Sequence, residues 1–247
     1  MFNLKNNMTL LQNKKAFLML FSLAFTLFLF GCAAKIPDKK GGHLEYFKLE
    51  QVAKTDVDTV FDIHVKKTFE QLRLLAEKLY KRNPNAWRNA GLAHRDEALK
   101  RIFDRPKFPT VQGKSSVDSI RLAFDPDYHG DRVLAYIAGV GSMLNTSFNH
   151  TKDFYLFSTL DAQKIYNSAR NIEIASWLLR TKRQESGELF LLSFSHQVGD
   201  PNQSYERIIG KIIGQQDTLA EIVATKSHRV IKYVLQSAAR LMVFLPV

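Results

Sequence analysis

The sequence predicts a mainly α-helical fold: a compact helical domain with a long C-terminal helix and at most a minor strand or hairpin. Several long segments repeat apolar residues every three or four positions, which is the spacing that places them on one face of an α-helix. The 247 residues include a single cysteine, so no disulfide can form within the chain and a hydrophobic core must stabilise it. A hydrophobic fraction of 45% is ordinary for a globular protein.

The first long helix is predicted over residues 57–82. Asp56 is suited to cap its start, and Asn83-Pro84 is suited to end it, because the residue before a proline disfavours the helical conformation. A short helix over residues 96–103 should follow, before two prolines. The apolar face of the long helix consists of Val57, Val60, Phe61, Val65, Phe69, Leu72, Leu75 and Leu79.

Residues 110–130 are rich in Gly, Ser, Asp and Pro and are predicted to form a connection. The following helix, over residues 131–148, carries a face of small side chains that lets a neighbouring helix approach closely: Ala135, Ala138, Gly139 and Ser142. Another helix is predicted over residues 159–183, with Thr159 as its N-cap. Residues 188–194 are the best candidate for a strand, although no partner strand is evident.

The last helix is predicted from Ser204 to about residue 244, with a kink near Gly210 or Gly214 or a break near residue 227. Gly210 and Gly214 have the GxxxG spacing, which here indicates close packing against another helix. Residues 241–247 are almost wholly apolar. They should dock on the domain, with Leu241, Phe244 and Leu245 completing the helix face; alternatively they form an exposed patch that binds a partner or a membrane.

The N-terminus has the pattern of a secretory signal peptide. Its first fifteen residues carry three lysines and no acid, residues 16–30 are apolar, and Gly31 precedes Cys32. The uncharged stretch of residues 16–34 is also long enough to span a bilayer as an uncleaved anchor. The lysines on both sides of this stretch do not decide between the two interpretations.

Leu29-Phe30-Gly31-Cys32 resembles the lipobox of bacterial lipoproteins, with Phe30 larger than the usual residue at its place. The resemblance implies that the Cys32 thiol receives a diacylglycerol, that cleavage removes residues 1–31, and that the new amine of Cys32 is acylated. Ala33 stands where an Asp would favour inner-membrane retention, so the resemblance implies an outer-membrane anchor facing the periplasm. The domain order is then a signal peptide over 1–31, a lipidated flexible tether over 32–44, and a single mostly helical periplasmic domain over 45–247.

The net charge of +11 favours acidic partners. The basic residues are spread along the chain without the Lys/Arg run of a nucleic-acid arm, so no nucleic acid is expected. The expected partners are the membrane, through the lipid anchor, and an envelope protein or an anionic envelope component.

Asp125, Asp127, His129 and Asp131 alternate around Gly130 and resemble the start of an EF-hand calcium loop. His129 and, at the twelfth position, Tyr136 depart from that pattern. A transition-metal site and a polar turn that caps the next helix are the alternatives. A helix-capping turn would favour a binding protein, whereas a cleft in which these residues meet a distant His or Glu would favour an enzyme.

No known catalytic motif accompanies this turn. The sequence therefore favours a non-enzymatic envelope lipoprotein with a binding or structural role. A lipid-anchored periplasmic hydrolase or metal-binding protein that uses Asp125, His129 and Asp131 is the alternative. Cys32 is the one assigned site residue; no catalytic residue, metal ligand or cofactor is assigned.

Overall fold

The structure is a computed structural model, which describes residues 35–37, 43–45, 56–150, 160–193, 203–227, 231 and 243–247. The expected signal peptide over residues 1–31 and the expected lipid attachment at Cys32 lie outside the described residues. Contacts divide the chain into two compact units, Met1–Ala53 and Lys54–Val247.

In the first unit, two short strands form an antiparallel hairpin. Strands β1 (Lys35–Pro37) and β2 (His43–Glu45) pair with Ile36 opposite Leu44. Proline is compatible with a hairpin here because each strand of a two-stranded sheet is an edge strand. The stretch that was predicted to be only a flexible tether therefore includes the minor hairpin that the fold-class prediction allowed.

The described part of the second unit contains seven helices, and the predicted mainly α fold is confirmed. In chain order they are α1 (Asp56–Arg82), α2 (Pro84–Asn89), α3 (Arg95–Phe103), α4 (Ser116–Leu122), α5 (Arg132–Ser147), α6 (Ala162–Thr181) and α7 (Ser204–Ser227). Among the described helices, none has the length and apolar character needed to cross a membrane.

One hydrophobic core joins these helices, and it contains most of the apolar face predicted for α1, from Phe61 to Leu79. Val60, which was predicted on the same face, is 43% exposed. Helix α7 packs extensively against both α1 and α6, and α4 packs in the same way against α5. Large side chains in the core are fully buried, including Phe61, Leu72, Leu79, Ile137, Met143, Ile165, Ile212 and Leu219. At roughly 1.5–3 kcal/mol for each large apolar side chain that is fully buried, this core provides the main stabilisation.

The small-residue face of α5 has the predicted role. A Cβ atom on Gly139 would lie 2.7 Å from the backbone nitrogen of Ile120, so a larger residue would force α4 away. The backbone N–H of Ser116 also donates to Ser142 Oγ at 2.7 Å. Helix α4 itself was missed within the predicted connection of residues 110–130, because its Ser- and Asp-rich sequence becomes helical through contacts with α5 that local periodicity does not show.

The GxxxG interpretation of α7 is wrong. Gly210 and Gly214 are exposed, and a Cβ atom on either would meet nothing within 4 Å. Helix α7 is described to Ser227, and residues 228–230 and 232–242 lie outside the described residues. Residues 243–247 have no helical structure, so Phe244 and Leu245 do not complete a helix face as predicted.

The start of α6 and the strand predicted over residues 188–194 also differ from expectation. Asp161 caps α6 by accepting the backbone N–H of Gln163 at 2.9 Å, while the predicted cap, Thr159, lies outside the described residues. The described residues 188–193 form no strand, apart from an isolated bridge between Arg183 and Leu189. Within this segment, the backbone N–H of Phe190 donates to the backbone oxygen of Lys182, and both main-chain groups of Leu192 bind the side chain of Asn83.

Candidate functional site

The acidic turn of residues 125–131 ends in a helix cap. Asp131 is 4% exposed, and its Oδ1 accepts the backbone N–H of Leu134 at 2.8 Å. Its Oδ2 accepts the hydroxyl of Tyr80 at 2.9 Å. Burial raises the pKa of the Asp131 carboxyl above its ordinary value, although both hydrogen bonds oppose that shift. Both carboxylate oxygens thus already have partners within the domain.

The other acids of this turn also have local roles. Asp125 Oδ1 accepts the backbone N–H of Asp127 at 3.0 Å, which is an Asx turn. Asp127 and His129 are exposed. Within the part of the chain that the structure describes, no group of three or more His, Cys, Asp or Glu residues is arranged to hold a metal ion. The geometry favours the helix-capping interpretation over an EF-hand-like site.

Gly130 has a steric reason for being a glycine in this turn. A Cβ atom there would lie 2.5 Å from the hydroxyl oxygen of Tyr128, within the volume of that side chain. Tyr128 is buried, and its hydroxyl donates to the backbone oxygen of Asp131 at 3.3 Å. The glycine that resembles an EF-hand residue therefore makes room for a packed tyrosine.

The turn nevertheless borders a cleft of about 920 Å³. Its walls are Tyr128, His129, Gly130 and Arg132 of the turn, the junction of α1 and α2, and the segment that follows α6. Asp125, Asp127 and Asp131 are not among its lining residues. We call it the arginine cleft, since it brings together three arginines and a histidine with one carboxylate in the lining: Arg82, Arg132, Arg183, His129 and Glu188. Amide side chains of Asn85 and Asn89 add hydrogen-bonding groups. Asn83 also lines the cleft, but its amide already binds the backbone of Leu79 and Leu192.

Arg132 is held firmly in one wall of this cleft. Its Nη1 donates to the backbone oxygens of Ala123 and Asp125 at 2.9 and 2.8 Å. The guanidinium lies 4.7 Å from the ring centroid of Phe190 and 5.7 Å from that of Tyr128, distances at which cation–π attraction operates. Partial burial lowers the pKa of Arg132 from its ordinary value. Arg132 therefore has a large structural role in addition to its charge.

Another wall is the segment after α6, which is held by Asn83. Asn83 Nδ2 donates to the backbone oxygen of Leu192 at 2.9 Å, and the Leu192 N–H donates to Asn83 Oδ1 at 2.8 Å. We call this pair of bonds the Asn83 clamp. Arg183 lies in the same segment, where its Nη1 donates to the backbone oxygen of Gly187 at 2.9 Å. Gly187 has a φ of 83°, a conformation that glycine adopts without strain.

A second concave site, of about 460 Å³, is mainly apolar and has charged side chains such as Lys66 and Arg105 in its lining. Phe69 and Phe108 stack with ring centroids 5.8 Å apart, and Phe103 meets Phe108 edge-on at 5.9 Å. The ring of Phe108 occupies the space that a Cβ atom on Gly141 would need. This aromatic groove shares no lining residue with the arginine cleft.

Sequence reasoning drew attention to the acidic turn but missed the rest of the cleft. Arg82 and Arg183 are far apart in the chain, and neither stands in a local motif. Asn83 was interpreted only as the end of α1. The Asn-Pro pair was the one available signal, and it indicated a boundary without identifying the segment that Asn83 would bind.

Compared with known proteins, the chain matches no family model, no curated protein and no solved structure. The function of the cleft is therefore inferred from its charge, its hydrogen-bonding groups and its position beside the acidic turn.

Proposed function

We propose that this chain is a non-enzymatic, lipid-anchored envelope protein whose helical domain binds an anionic group in the arginine cleft. Cys32 would carry the lipid, and the domain would face the periplasm from the outer membrane. The observation that carries the binding role is the convergence of Arg82, Arg132 and Arg183 around a single cleft.

The chemistry of the cleft supports an anion as its ligand. Guanidinium groups bind phosphates and carboxylates through paired N–H donors, and asparagine amides add further donors. A volume of about 920 Å³ lies at the upper end of the range found for small-molecule sites. The charge of the whole chain agrees: subtracting the three lysines before Cys32 from +11 leaves +8 for the mature protein.

The contacts of the acidic turn support binding more than hydrolysis. A hydrolytic base or a metal ligand needs a carboxylate oxygen that is available to water or metal. Asp131 uses one oxygen for a backbone N–H and the other for Tyr80. Asp125 uses one oxygen for Asp127. A periplasmic hydrolase or metal-binding protein that uses Asp125, His129 and Asp131 is the second candidate, because His129 of this turn lines the cleft.

The anchor is tested at Cys32. Cells that express the wild-type chain should incorporate labelled palmitate into it, and its mature N-terminus should be residue 32. The Cys32→Ser variant should incorporate no label and should persist as the unprocessed precursor, because the thiol is the acceptor. A wild-type chain that takes up no label and begins elsewhere would refute the anchor.

The cleft is tested with the double variant Arg82→Gln/Arg183→Gln, which leaves the structural Arg132 in place. Vesicles with an anionic headgroup and free inorganic phosphate serve as separate probes, so that a membrane and a soluble anion can be distinguished. The matched control removes the same charge outside the cleft by changing Lys211 and Arg207, both exposed on α7, to Gln. We expect the cleft variant to weaken binding of at least one probe by about tenfold or more, and the control by much less.

An equal loss in both variants would mean that net charge alone attracts the probe, and it would refute the cleft. The hydrolase candidate makes a different prediction, namely turnover of a phosphate or carboxylate ester that disappears in Asp125→Asn.

A further inference from the structure

Residues 243–247 lie against α6, where two asparagine side chains hold their main chain. Asn171 Nδ2 donates to the backbone oxygen of Leu245 at 2.8 Å, and the Leu245 N–H donates to Asn171 Oδ1 at 2.6 Å. One helical turn earlier, Asn167 Nδ2 donates to the backbone oxygen of Pro246 at 2.7 Å. We call these two residues the asparagine pair. Their spacing of four places both amides on one face of the helix.

The asparagine pair is buried beneath this segment. Asn171 is 0% exposed and Asn167 is 6% exposed. Gln163 Nε2 donates to Asn167 Oδ1 at 2.9 Å, which orients that amide with its NH₂ group toward Pro246. Leaving a buried amide without a hydrogen-bond partner costs about 1–3 kcal/mol. A peptide main chain supplies that partner to each asparagine, whereas an apolar side chain in the same place would not. This part of α6 is therefore built to receive a peptide backbone.

Side chains of the bound segment add two apolar anchors. Phe244 and Val247 are partly buried and pack against the hydrophobic core. The guanidinium of Arg121, on α4, lies 5.3 Å from the ring centroid of Phe244. Val243 remains 57% exposed. Recognition thus combines main-chain hydrogen bonds at two consecutive residues with an aromatic contact before them and an aliphatic contact after them.

We propose that this surface is a binding site for an extended apolar peptide segment, and that residues 243–247 occupy it as a displaceable ligand in cis. Hydrogen bonds to a main chain do not depend on its sequence, as in peptides that add to the edge of a sheet. The preferred partner segment has an aromatic residue, then an apolar residue and a proline, then an aliphatic residue. This site is independent of the anchor and of the arginine cleft, so either proposal can fail without the other.

The test uses a chain that ends at residue 242 and a fluorescent peptide with the sequence of residues 243–247. Fluorescence anisotropy should show saturable binding to the truncated chain, and binding at least tenfold weaker to the intact chain, because the tethered segment competes at a high effective concentration. Asn171→Ala in the truncated chain should weaken binding at least tenfold. Lys164→Ala changes the same helix outside the asparagine pair and should leave binding within about twofold.

A second peptide carries an N-methyl group on the residue that corresponds to Leu245. It lacks the N–H that donates to Asn171 and should bind at least tenfold more weakly. A folded truncated chain that does not bind the first peptide, or that binds both peptides equally, would overturn the proposal.

Hydrogen exchange of the intact chain keeps the proposal testable if the truncated chain does not fold. The Leu245 amide should be protected in the wild type and should exchange faster in Asn171→Ala. An excess of unlabelled peptide should also accelerate exchange at the chain's own Leu245, because it displaces the segment. Exchange at Leu245 that excess peptide does not change would show that the segment is a fixed part of the domain and would overturn displaceability.

Discussion

Two asparagines of this chain hold the main chain of a distant segment in the same way. Asn83 binds both the N–H and the C=O of Leu192, and Asn171 binds both groups of Leu245. The surroundings differ. Asn83 is half-buried at the end of α1 and also donates to Leu79, whereas Asn171 is fully buried in the middle of α6.

The comparison shows how solvent changes the contribution of one hydrogen-bonding arrangement. Water can replace a lost partner at Asn83, so the net contribution of its clamp should be near that of an ordinary hydrogen bond, about 0.5–1.5 kcal/mol. Asn171 has no exposed surface while the segment is bound, and its bonds to Leu245 are partly buried, so the loss of that amide should cost more than the loss of Asn83. The Asn83 clamp positions a wall of the arginine cleft. The bonds of Asn171 hold residues 243–247 against the hydrophobic core.

Deleting residues 243–247 should have the largest effect on stability. The deletion removes the partly buried Phe244 and Val247, exposes the apolar surface that they cover, and removes three hydrogen bonds to Asn167 and Asn171. We expect a loss of about 3–5 kcal/mol in the free energy of unfolding, and therefore a melting temperature lower by on the order of 10 °C. Thermal unfolding followed by circular dichroism measures it. An unchanged melting temperature would mean that the segment contributes contact area without stability.

Asn171→Ala should come next, with a loss of about 2–3 kcal/mol. The substitution keeps the helix but removes both bonds to Leu245. Chemical denaturation measures the change, and Lys164→Ala is the control, expected within about 0.5 kcal/mol of the wild type. If Asn171→Ala costs no more than Asn83→Ala, burial does not distinguish the two clamps.

Asn83→Ala should cost only about 0.5–1.5 kcal/mol, because water can satisfy the groups that it exposes. Its effect should instead be local. Hydrogen exchange at the Leu192 amide should accelerate while exchange in the middle of α6 stays as in the wild type. A global increase in exchange would show that the wall of the cleft is part of the cooperative core.

The sequence predicted what depends on local periodicity. The apolar spacing of α1 gave both its extent and the buried face that includes Phe61, Leu72 and Leu79. The small face of α5 was predicted for the same reason, since Gly139 lies on a recognisable stripe. Periodicity does not identify the partner of a face, and so the exposed Gly210 and Gly214 were assigned a packing role that the structure gives to Gly139.

The sequence did not predict what depends on distant partners. Helix α4 forms against α5, and Leu192 is held by the distant side chain of Asn83 instead of by a neighbouring strand. The candidate cleft is of the same kind, since Arg82 and Arg183 meet only after folding. The acidic turn was correctly singled out as unusual, but the unusual feature is a buried cap whose second oxygen binds a tyrosine from α1.

Asp131 also binds main chain through its side chain, but unlike Asn83 and Asn171 it can carry a charge. Burial raises the pKa of its carboxyl above 3.8, so the folded chain binds that proton more tightly than the unfolded chain does. The stabilising effect of protonation is present at low pH and is lost as pH rises through the folded-state pKa. In Asp131→Asn the side-chain oxygen still caps Leu134, and the titrating group is absent.

The free energy of unfolding of the wild type, minus that of Asp131→Asn, should therefore fall as pH rises above 3.8 and should then level off. This effect should be the smallest of the four, because the hydrogen bonds from Leu134 and Tyr80 oppose the effect of burial. Urea denaturation of both proteins across the acidic range measures the difference. In a Tyr80→Phe background one opposing hydrogen bond is lost, so the fall should extend to higher pH. A difference that increases with pH would mean that the cap stabilises the carboxylate more than burial destabilises it.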